Sequence, residues 1–355
     1  MSSDDVDAGA ARPQRSRKRA GAGVTINAVA HHAGVSAMTV SNVINNKASV
    51  QPTTRDAVLK AVAELGYRPN PAARALASAS LLRIGLMHRD EESALLSAML
   101  TGTLQATARL GAQLVLRPFA AESDLDEVLR FARTGLDGLL LPPPLCERFG
   151  DAGLARQLEV PVIALAPGSA MHQMSGIRID DVAASHALTS HLIAHGHRRI
   201  AFVQLPGSHV GHTRLAGYRA ALQDAGLEED PQLIWPGRPF FADGLRLAEQ
   251  HLGGPLQFSA VMAGNDDMAA AFVNTALRHG MQLPGDLSVT GFDDTPIASK
   301  IWPALTTVRQ PLALIAEQAT ELLVDMLRDP AGKQHVSRLV DYELVERASV
   351  AAPRQ

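Results

Sequence analysis

The stretch VTINAVAHHAGVSAMTVSNVIN, residues 24–45, has the spacing of two short helices joined by a tight turn. Gly34 would end the first helix, and Ser36 would cap the second, because a serine oxygen accepts from a free N–H group of the first turn. Apolar residues recur three or four positions apart in each half and would bury one face of each helix: Val29, Ala33, Val40, Val43 and Ile44. This layout is typical of a helix-turn-helix, whose second helix enters the major groove of DNA.

The exposed face of the second helix carries short or hydrogen-bonding side chains rather than a uniform charge, which suits contact with base edges. An ordinary helical hairpin would have the same apolar spacing, but the next segment favours DNA binding. A third helix is expected from Pro52, with Val58, Leu59, Val62 and Leu65 at helical spacing and a stop at Gly66. The block 72–77 contains good helix formers but has only about two turns, so it should fold only on a partner.

Six segments, in order along the chain, resemble the LacI/GalR family of bacterial transcription regulators. The similarity extends from Val24 to about Val350, and MTVS around Met38 also resembles the gluconate-repressor branch. The segments are TINAVAHHAGVSAMTVSNVINN, TTRDAVLKAVAELGYRPNPAARALA, HGHRRIAFV, GNDDMAAAF, VTGFDDTPIAS and PALTTVRQP. By this resemblance Leu76 is the wedge that a hinge helix inserts into the minor groove. The resemblance also assigns a set of DNA-contacting residues: Ser36, Ala37, Met38, Thr39, Ser41 and Asn42.

Three positions depart from the family pattern. Asn42 stands where the family usually has arginine, and an amide prefers adenine where a guanidinium prefers guanine, so the operator should be atypical. Ala28 replaces an acid that would form a reciprocal cap with Thr25, and Gln51 replaces a serine cap before Pro52. Each lost cap should cost about 0.5–2 kcal/mol of helix stability.

Charge and composition predict the domain organisation. The 355-residue chain has a net charge of −3, but residues 11–77 hold ten basic and two acidic residues, a local net of +8 suited to phosphates. We expect a disordered basic tail at 1–23, which would either touch DNA or remain solvated, and a helix-turn-helix headpiece at 24–69. A hinge helix and linker should span 70–81, an effector-binding and dimerisation core 82–350, and a short tail 351–355.

From Arg83 onward, short apolar runs alternate with helical stretches. The runs predict seven strands, near 84–87, 114–116, 138–141, 162–165, 200–205, 260–262 and 287–290. The fold class is therefore α/β, an all-α headpiece followed by a parallel α/β core. The resemblance divides that core into two lobes like those of periplasmic sugar-binding proteins, and ligands bind at the carboxyl ends of such strands, here in the cleft between the lobes.

Polar residues follow these strands, and the resemblance assigns several of them to the effector. Arg214 and Asp293 would divide the hydroxyls of a polyol between donor and acceptor. Strand-end caps or an interlobe salt bridge are the alternatives for these residues. The resemblance adds Ser93, Asn265 and Gln310, and either Phe240 or Phe241 as an aromatic wall. Arg178 stands where some relatives have an aromatic residue, and Ala166 where the lactose repressor has an acid, so a sugar acid is expected beside plain sugars.

The resulting hypothesis is a cytoplasmic, dimeric regulator, most simply a repressor, that binds a near-palindromic operator in double-stranded DNA. No cofactor, catalytic residue, metal or membrane partner is expected, because no run of about 18 apolar residues and no phosphate loop occurs, and Cys146 is the only cysteine. The alternatives are a carbohydrate-active enzyme using Asp266/Asp267 or Asp293/Asp294, and a sugar-binding transport protein. The histidines near 186–197 are a weak metal-site pattern.

Overall fold

The computed structural model describes residues 24–44, 50–67, 81–88, 94–119, 125–329 and 335–354. The chain divides into two compact units between Ser80 and Leu81, and each unit is described by itself. The basic tail, Leu76 of the expected hinge helix and Ser93 lie outside the described residues.

In its described residues, the first unit has three helices: α1 (Ile26–Ala33), α2 (Ala37–Ile44) and α3 (Pro52–Glu64). The turn and the cap predicted from the sequence are confirmed. Gly34 has a left-handed backbone with φ 64°, and the Ser36 hydroxyl accepts from the Thr39 N–H at 3.1 Å. The two altered cap positions differ in what remains of the cap. Thr25 accepts from the Ala28 N–H over a long 3.4 Å, and Gln51 forms no side-chain cap.

A small apolar core joins these three helices. Val29 from α1, Val40 and Val43 from α2, and Val58 from α3 are almost completely buried against one another. The His32 ring lies 2.8 Å from the Glu64 carboxylate, so a surface contact also links α1 to α3. Leu59, expected at a core-facing spacing, is 49% exposed, so this third helix turns mainly Val58 and Ala61 inward.

The second unit has two lobes, and a parallel sheet forms the centre of the first. Its strands are β1 (Arg83–His88), β2 (Gln113–Pro118), β3 (Gly138–Leu141), β4 (Val162–Leu165), β5 (Ser175–Arg178) and, much later in the chain, β11 (Ser337–Leu339). They lie in the order β11-β5-β4-β3-β1-β2. The central strands β3 and β4 are buried throughout, as a sheet covered on both faces requires.

The second lobe has a four-stranded parallel sheet in the order β7-β6-β8-β9. The strands are β6 (Ile200–Gln204), β7 (Ile234–Pro236), β8 (Ala260–Met262) and β9 (Ser288–Thr290). An antiparallel pair, β10 (Thr307–Arg309) with β12 (Glu343–Val345), lies beside this sheet and is linked to it through parallel bridges at Thr290–Thr306 and Asp293–Arg309. The seven strands predicted from apolar runs are therefore confirmed.

Helices cover both sheets. They are α4 (Ala94–Leu110), α5 (Asp126–Ala132), α6 (Leu145–Asp151), α7 (Asp181–Ala194), α8 (His209–Asp224), α9 (Phe241–Leu252), α10 (Asp266–Arg278), α11 (Pro296–Lys300) and α12 (Leu312–Arg328). The chain passes between the lobes three times, after β5, before α12 and after β11. These crossings place the ends of the strands of both lobes around one cleft.

The segment after Val350 is bonded to the second lobe. The Ala351 N–H donates to the Ser288 hydroxyl at 3.1 Å, and Arg354 forms an ion pair with Asp286. Within the described ranges, no helix is both long enough and apolar enough to traverse a lipid bilayer.

Candidate ligand cleft and DNA-reading helix

A cavity of about 720 Å³ lies in the cleft between the two lobes. Volumes of roughly 300–1,000 Å³ are usual for small-molecule sites. The first lobe contributes a mainly apolar wall, with His88 at the end of β1 as its polar side chain among the described residues. The second lobe contributes hydrogen-bonding groups: Ser208, Arg214, Arg238, Asn265, Asp267 and Asp293, with Gln310 at the crossing into α12.

Arg214 is the centre of the polar side of this cavity. It is buried on α8, and its guanidinium lies 3.5 Å from the centre of the Phe292 ring. Three of its five N–H groups have protein acceptors. Nε donates to Asp181 at 2.9 Å, Nη1 to the carbonyl oxygen of Gly264 at 2.9 Å, and Nη2 to Asp293 at 3.4 Å. Since a guanidinium has five donors in a fixed fork, two have no acceptor among the described residues and are available to a ligand.

Two carboxylates therefore compensate one buried arginine. Burial raises the pKa of Asp181 to about 6, and the neighbouring Arg214 opposes that rise. Asp293 accepts a second bond from Gln310 Nε2 at 2.6 Å, which fixes the orientation of its carboxylate. The backbone of Asp293 has φ 101°, an unusual conformation that aims the side chain back at Arg214 and is held by its N–H bond to Val308.

Asn265 combines a structural role with a place on the cavity wall. Its Oδ1 caps α10 by accepting the Met268 N–H at 2.9 Å, and its Nδ2 donates to the Pro239 carbonyl at 3.2 Å. The strand-end cap considered from the sequence is therefore present. The side chain is 6% exposed and lines the cavity, so a cap and a ligand contact are compatible here.

Four residues proposed from the sequence, Arg214, Asn265, Asp293 and Gln310, meet at this cavity, whereas Arg178 is not in its wall. Arg178 ends β5, where it pairs with Leu339 of β11, and its Nη1 donates to the neighbouring Ile179 carbonyl at 3.0 Å. Its Nε is buried without a hydrogen-bond partner among the described residues. The Arg178 side chain therefore lies where the chain crosses from β5 into the second lobe, outside the cavity wall.

Both phenylalanines suggested as an aromatic wall, Phe240 and Phe241, line the cavity. The sequence reasoning missed Asp181 as a partner of Arg214, and it missed His88 and Arg238. No spacing rule brings Asp181 to Arg214, because the contact joins α7 to α8 across 33 residues.

One acid of each pair weighed as catalytic, Asp266 and Asp294, is engaged in structural contacts. Asp266 is buried and accepts from the Thr295 N–H at 2.6 Å and from the Thr307 hydroxyl at 2.7 Å. Burial, and then the charge of Asp293, raises the pKa of Asp266 to about 7. Asp294 accepts from Arg309 and Arg347 at 2.7 and 2.6 Å. These contacts hold the 291–295 loop in place.

The dense histidine region has equally specific contacts. His197 lies between the hydroxyls of Ser259 and Ser288, at 2.8 and 3.0 Å, and burial lowers its pKa. The His191 and His195 rings lie 4.4 Å apart between centroids, and His195 Nδ1 is 2.8 Å from the His191 carbonyl oxygen. In the parts of the chain that the structure describes, no three His, Cys, Asp or Glu side chains form a metal-binding group.

The second helix of the headpiece presents the residues expected to contact DNA. Met38 is 70% exposed, Ser36 is exposed, and Ala37, Thr39 and Asn42 are partly exposed. Ser41 lies in the same helix. Because Val40 and Val43 turn inward to the headpiece core, Met38 and Asn42 lie on the opposite, outward surface of α2, whereas Ala37, which was expected on that surface, packs against the core.

A helix-turn-helix unit and a two-lobed parallel α/β core within one chain define the class of ligand-responsive DNA-binding regulators. Comparisons with known proteins agree. A model described as bacterial regulatory proteins of the lacI family matches residues 25–70, and a periplasmic binding protein-like domain matches residues 189–350. The regulator GalS of Salmonella typhimurium is 35% identical over 337 residues, covering 92% of this chain and 97% of GalS.

Two solved structures resemble the whole chain. The lac repressor dimer bound to operator and the anti-inducer ONPF has a TM-score of 0.76 and 28% identity, covering 93% of this chain and 99% of that one. The complex of the regulator CelR with cellobiose has a TM-score of 0.67 and 30% identity, covering 92% and 100%. The chain belongs to the LacI family and is a transcriptional regulator.

Proposed function

We propose that this regulator is a repressor that binds a near-palindromic operator as a dimer and that a neutral sugar in the interlobe cleft changes its affinity for DNA. The observation that carries the effector proposal is the convergence of Arg214, Asp293, Asn265 and Gln310 on one cavity. Together they offer both donors and acceptors, as the hydroxyl groups of a sugar require. The similar regulator CelR has been solved in complex with cellobiose, which supports the same class of ligand.

The charges favour a neutral sugar over a sugar acid. The described charged residues lining the cavity are two arginines, Arg214 and Arg238, and two aspartates, Asp267 and Asp293. Arg214 is already compensated by Asp181 and Asp293, and Arg178, on which the sugar-acid hypothesis rested, lies elsewhere. An added carboxylate would face Asp293, and the second arginine of the wall, Arg238, already lies 3.9 Å from the carboxylate of Asp243.

A thermal-shift panel tests the effector class. Glucose with gluconate and galactose with galactonate form matched pairs that differ in charge, and a ligand of the native state raises the melting temperature. In the full chain, we expect the neutral sugar of a pair to raise the melting temperature more than its acid does. Asp293→Ala should abolish that rise. A larger shift with the acid would favour the sugar-acid alternative. Failure of every sugar tested would count against a sugar effector.

The DNA half of the proposal rests on α2. Asn42 is placed to pair with adenine, so a selection from randomised DNA should return a symmetric consensus with adenine at one position in each half-site. Asn42→Arg should change which base is preferred at that position, with a discrimination of about 1–3 kcal/mol. Asn274→Arg is the control, because it adds the same charge on the exposed face of α10 in the effector-binding domain. It should leave the consensus unchanged. An identical consensus for wild type and Asn42→Arg would exclude Asn42 as a base reader.

Dimer formation is tested separately by light scattering of the full chain during gel filtration. Two headpieces about one turn of DNA apart are needed to read two half-sites. A monomer at the concentration that gives full operator binding would contradict the proposed mode of recognition.

A further inference from the structure

A buried carboxylate of the first lobe joins the backbones of both lobes. Glu147 lies on α6 and is 1% exposed. One of its oxygens accepts the N–H of Gly168, in the loop after β4, at 2.9 Å. The other accepts the N–H of His209, the first residue of α8 in the second lobe, at 2.8 Å. The carboxylate thereby satisfies a free N–H at a helix N-terminus, where the helix dipole also favours negative charge.

The side chain of His209 is held by the first lobe as well. Its Nδ1 lies 2.9 Å from the Ser169 hydroxyl, and its Nε2 lies 2.9 Å from the Asp151 carboxylate. A serine hydroxyl both donates and accepts, and a histidine ring does the same when neutral, so this chain of bonds can be satisfied completely. Both the backbone and the ring of His209 are therefore fixed by residues of the opposite lobe.

Gly168 allows the two lobes to approach this closely. A Cβ atom at this position would lie 2.2 Å from the Val210 nitrogen and 2.4 Å from the His209 carbonyl carbon. The backbone of Gly168 is outside the left-handed region, so its conformation alone would accept alanine. The need for glycine at this position comes from the packing of one lobe against the other.

We propose that Glu147, Asp151, Gly168 and Ser169 form an interlobe latch on His209 and that this latch positions Arg214 in the cleft. Arg214 lies on α8, five residues after His209, and two residues beside the latch, Ser208 and Val210, line the cavity. A change in the lobe arrangement at the latch therefore moves the helix that carries the central polar group of the site. The latch couples lobe movement to ligand binding, and this second part rests on the proposed effector function.

Hydrogen–deuterium exchange tests the latch without any ligand. In the full chain, Gly168→Ala should accelerate exchange at least tenfold for the amides in the first turn of α8, because the added methyl group separates the lobes. Gly254→Ala is the matched control, since a Cβ there meets no atom within 4 Å and its φ is not left-handed. Equal exchange in the first turn of α8 for wild type and both variants would overturn the latch.

Calorimetry with D-glucose, D-galactose and cellobiose tests the positioning role. Glu147→Gln replaces one acceptor oxygen with an NH₂ group that faces a backbone N–H, whereas Glu159→Gln makes the same change on an exposed side chain. The sugar that binds wild type should bind Glu147→Gln and Gly168→Ala at least fivefold more weakly, with Glu159→Gln unchanged.

A lower melting temperature with unchanged sugar affinity in both latch variants would show a structural contact only and would overturn the positioning role. If none of the three sugars binds wild type, the proposed effector class is at fault. The exchange experiment still decides whether the latch exists.

Discussion

Replacing Arg214 with methionine should lower the stability of the core strongly, because two buried carboxylates would lose their cation. Arg214, Asp181 and Asp293 are each no more than 5% exposed. Breaking a buried ion pair by removing one partner costs about 3–5 kcal/mol. For a domain of this size each kcal/mol shifts the melting temperature by roughly 2–4 °C, so a fall of about 6–20 °C is expected at pH 8.

The pH dependence of this deficit identifies its cause. The folded-state pKa of Asp181, about 6, lies above its ordinary value, so its ionisation opposes folding as pH rises through 6. Without Arg214, the free-energy cost of ionising Asp181 in the folded state increases. The melting-temperature deficit of Arg214→Met should therefore be larger at pH 8 than at pH 5, and Asp181→Asn added to Arg214→Met should restore part of the loss at pH 8.

Calorimetric melting of the full chain provides the assay, with Arg278→Met as the control. Arg278 is paired with Glu249 on the exposed surface of α10, where ion pairs contribute about 0–1 kcal/mol. A fall under about 2 °C for Arg214→Met at pH 8, or a fall that is the same at pH 5 and pH 8 and insensitive to Asp181→Asn, would refute the reasoning.

Three further predictions concern other parts of the chain. The pKa of Asp266, about 7, lies above its ordinary value, so its contribution to stability falls as pH rises through 7; relative to Asp266→Asn, wild type should resist urea better at pH 6 than at pH 8, and a constant difference would contradict this. Ser36→Ala removes the cap on α2 at a cost of about 0.5–2 kcal/mol and should accelerate hydrogen exchange in α2 but not in α10; unchanged exchange in α2 would exclude the cap. Leu76→Ala should weaken operator binding in a gel-shift assay while the dimer and its sugar affinity persist, and unchanged DNA affinity would remove Leu76 from the mechanism.

The sequence predicted the elements whose pattern is continuous. The apolar runs of strands such as Gly138–Leu141 are visible because a parallel strand is buried on both faces. Strands Ser175–Arg178 and Ile234–Pro236 were missed because they have four and three residues and contain polar residues or proline. In the headpiece, the Gly34 turn and the Ser36 cap depend only on residues a few positions apart, so both could be predicted from the sequence.

The candidate site was less predictable because its contacts join distant segments. The family resemblance suggested Arg214 and Asp293, which lie 79 residues apart and meet in the cleft. No local pattern could show that Asp181 also compensates Arg214, or that Arg178 is turned toward its own backbone at a strand crossing. The contact of Glu147 with His209 depends on the packing of the lobes, and a lone glutamate between Cys146 and Arg148 gives no sign of it.

The central claim is that a ligand in the Arg214–Asp293 cleft controls DNA binding. Its most direct test is the affinity of the full chain for its selected operator, measured by fluorescence anisotropy with and without the sugar that gives the largest thermal shift, in wild type and in Asp293→Ala. The sugar should change the operator affinity of wild type at least fivefold, the lower end of typical allosteric coupling. It should leave Asp293→Ala unchanged at a similar basal affinity. An equal effect on both proteins, or no effect on wild type, would contradict the claim.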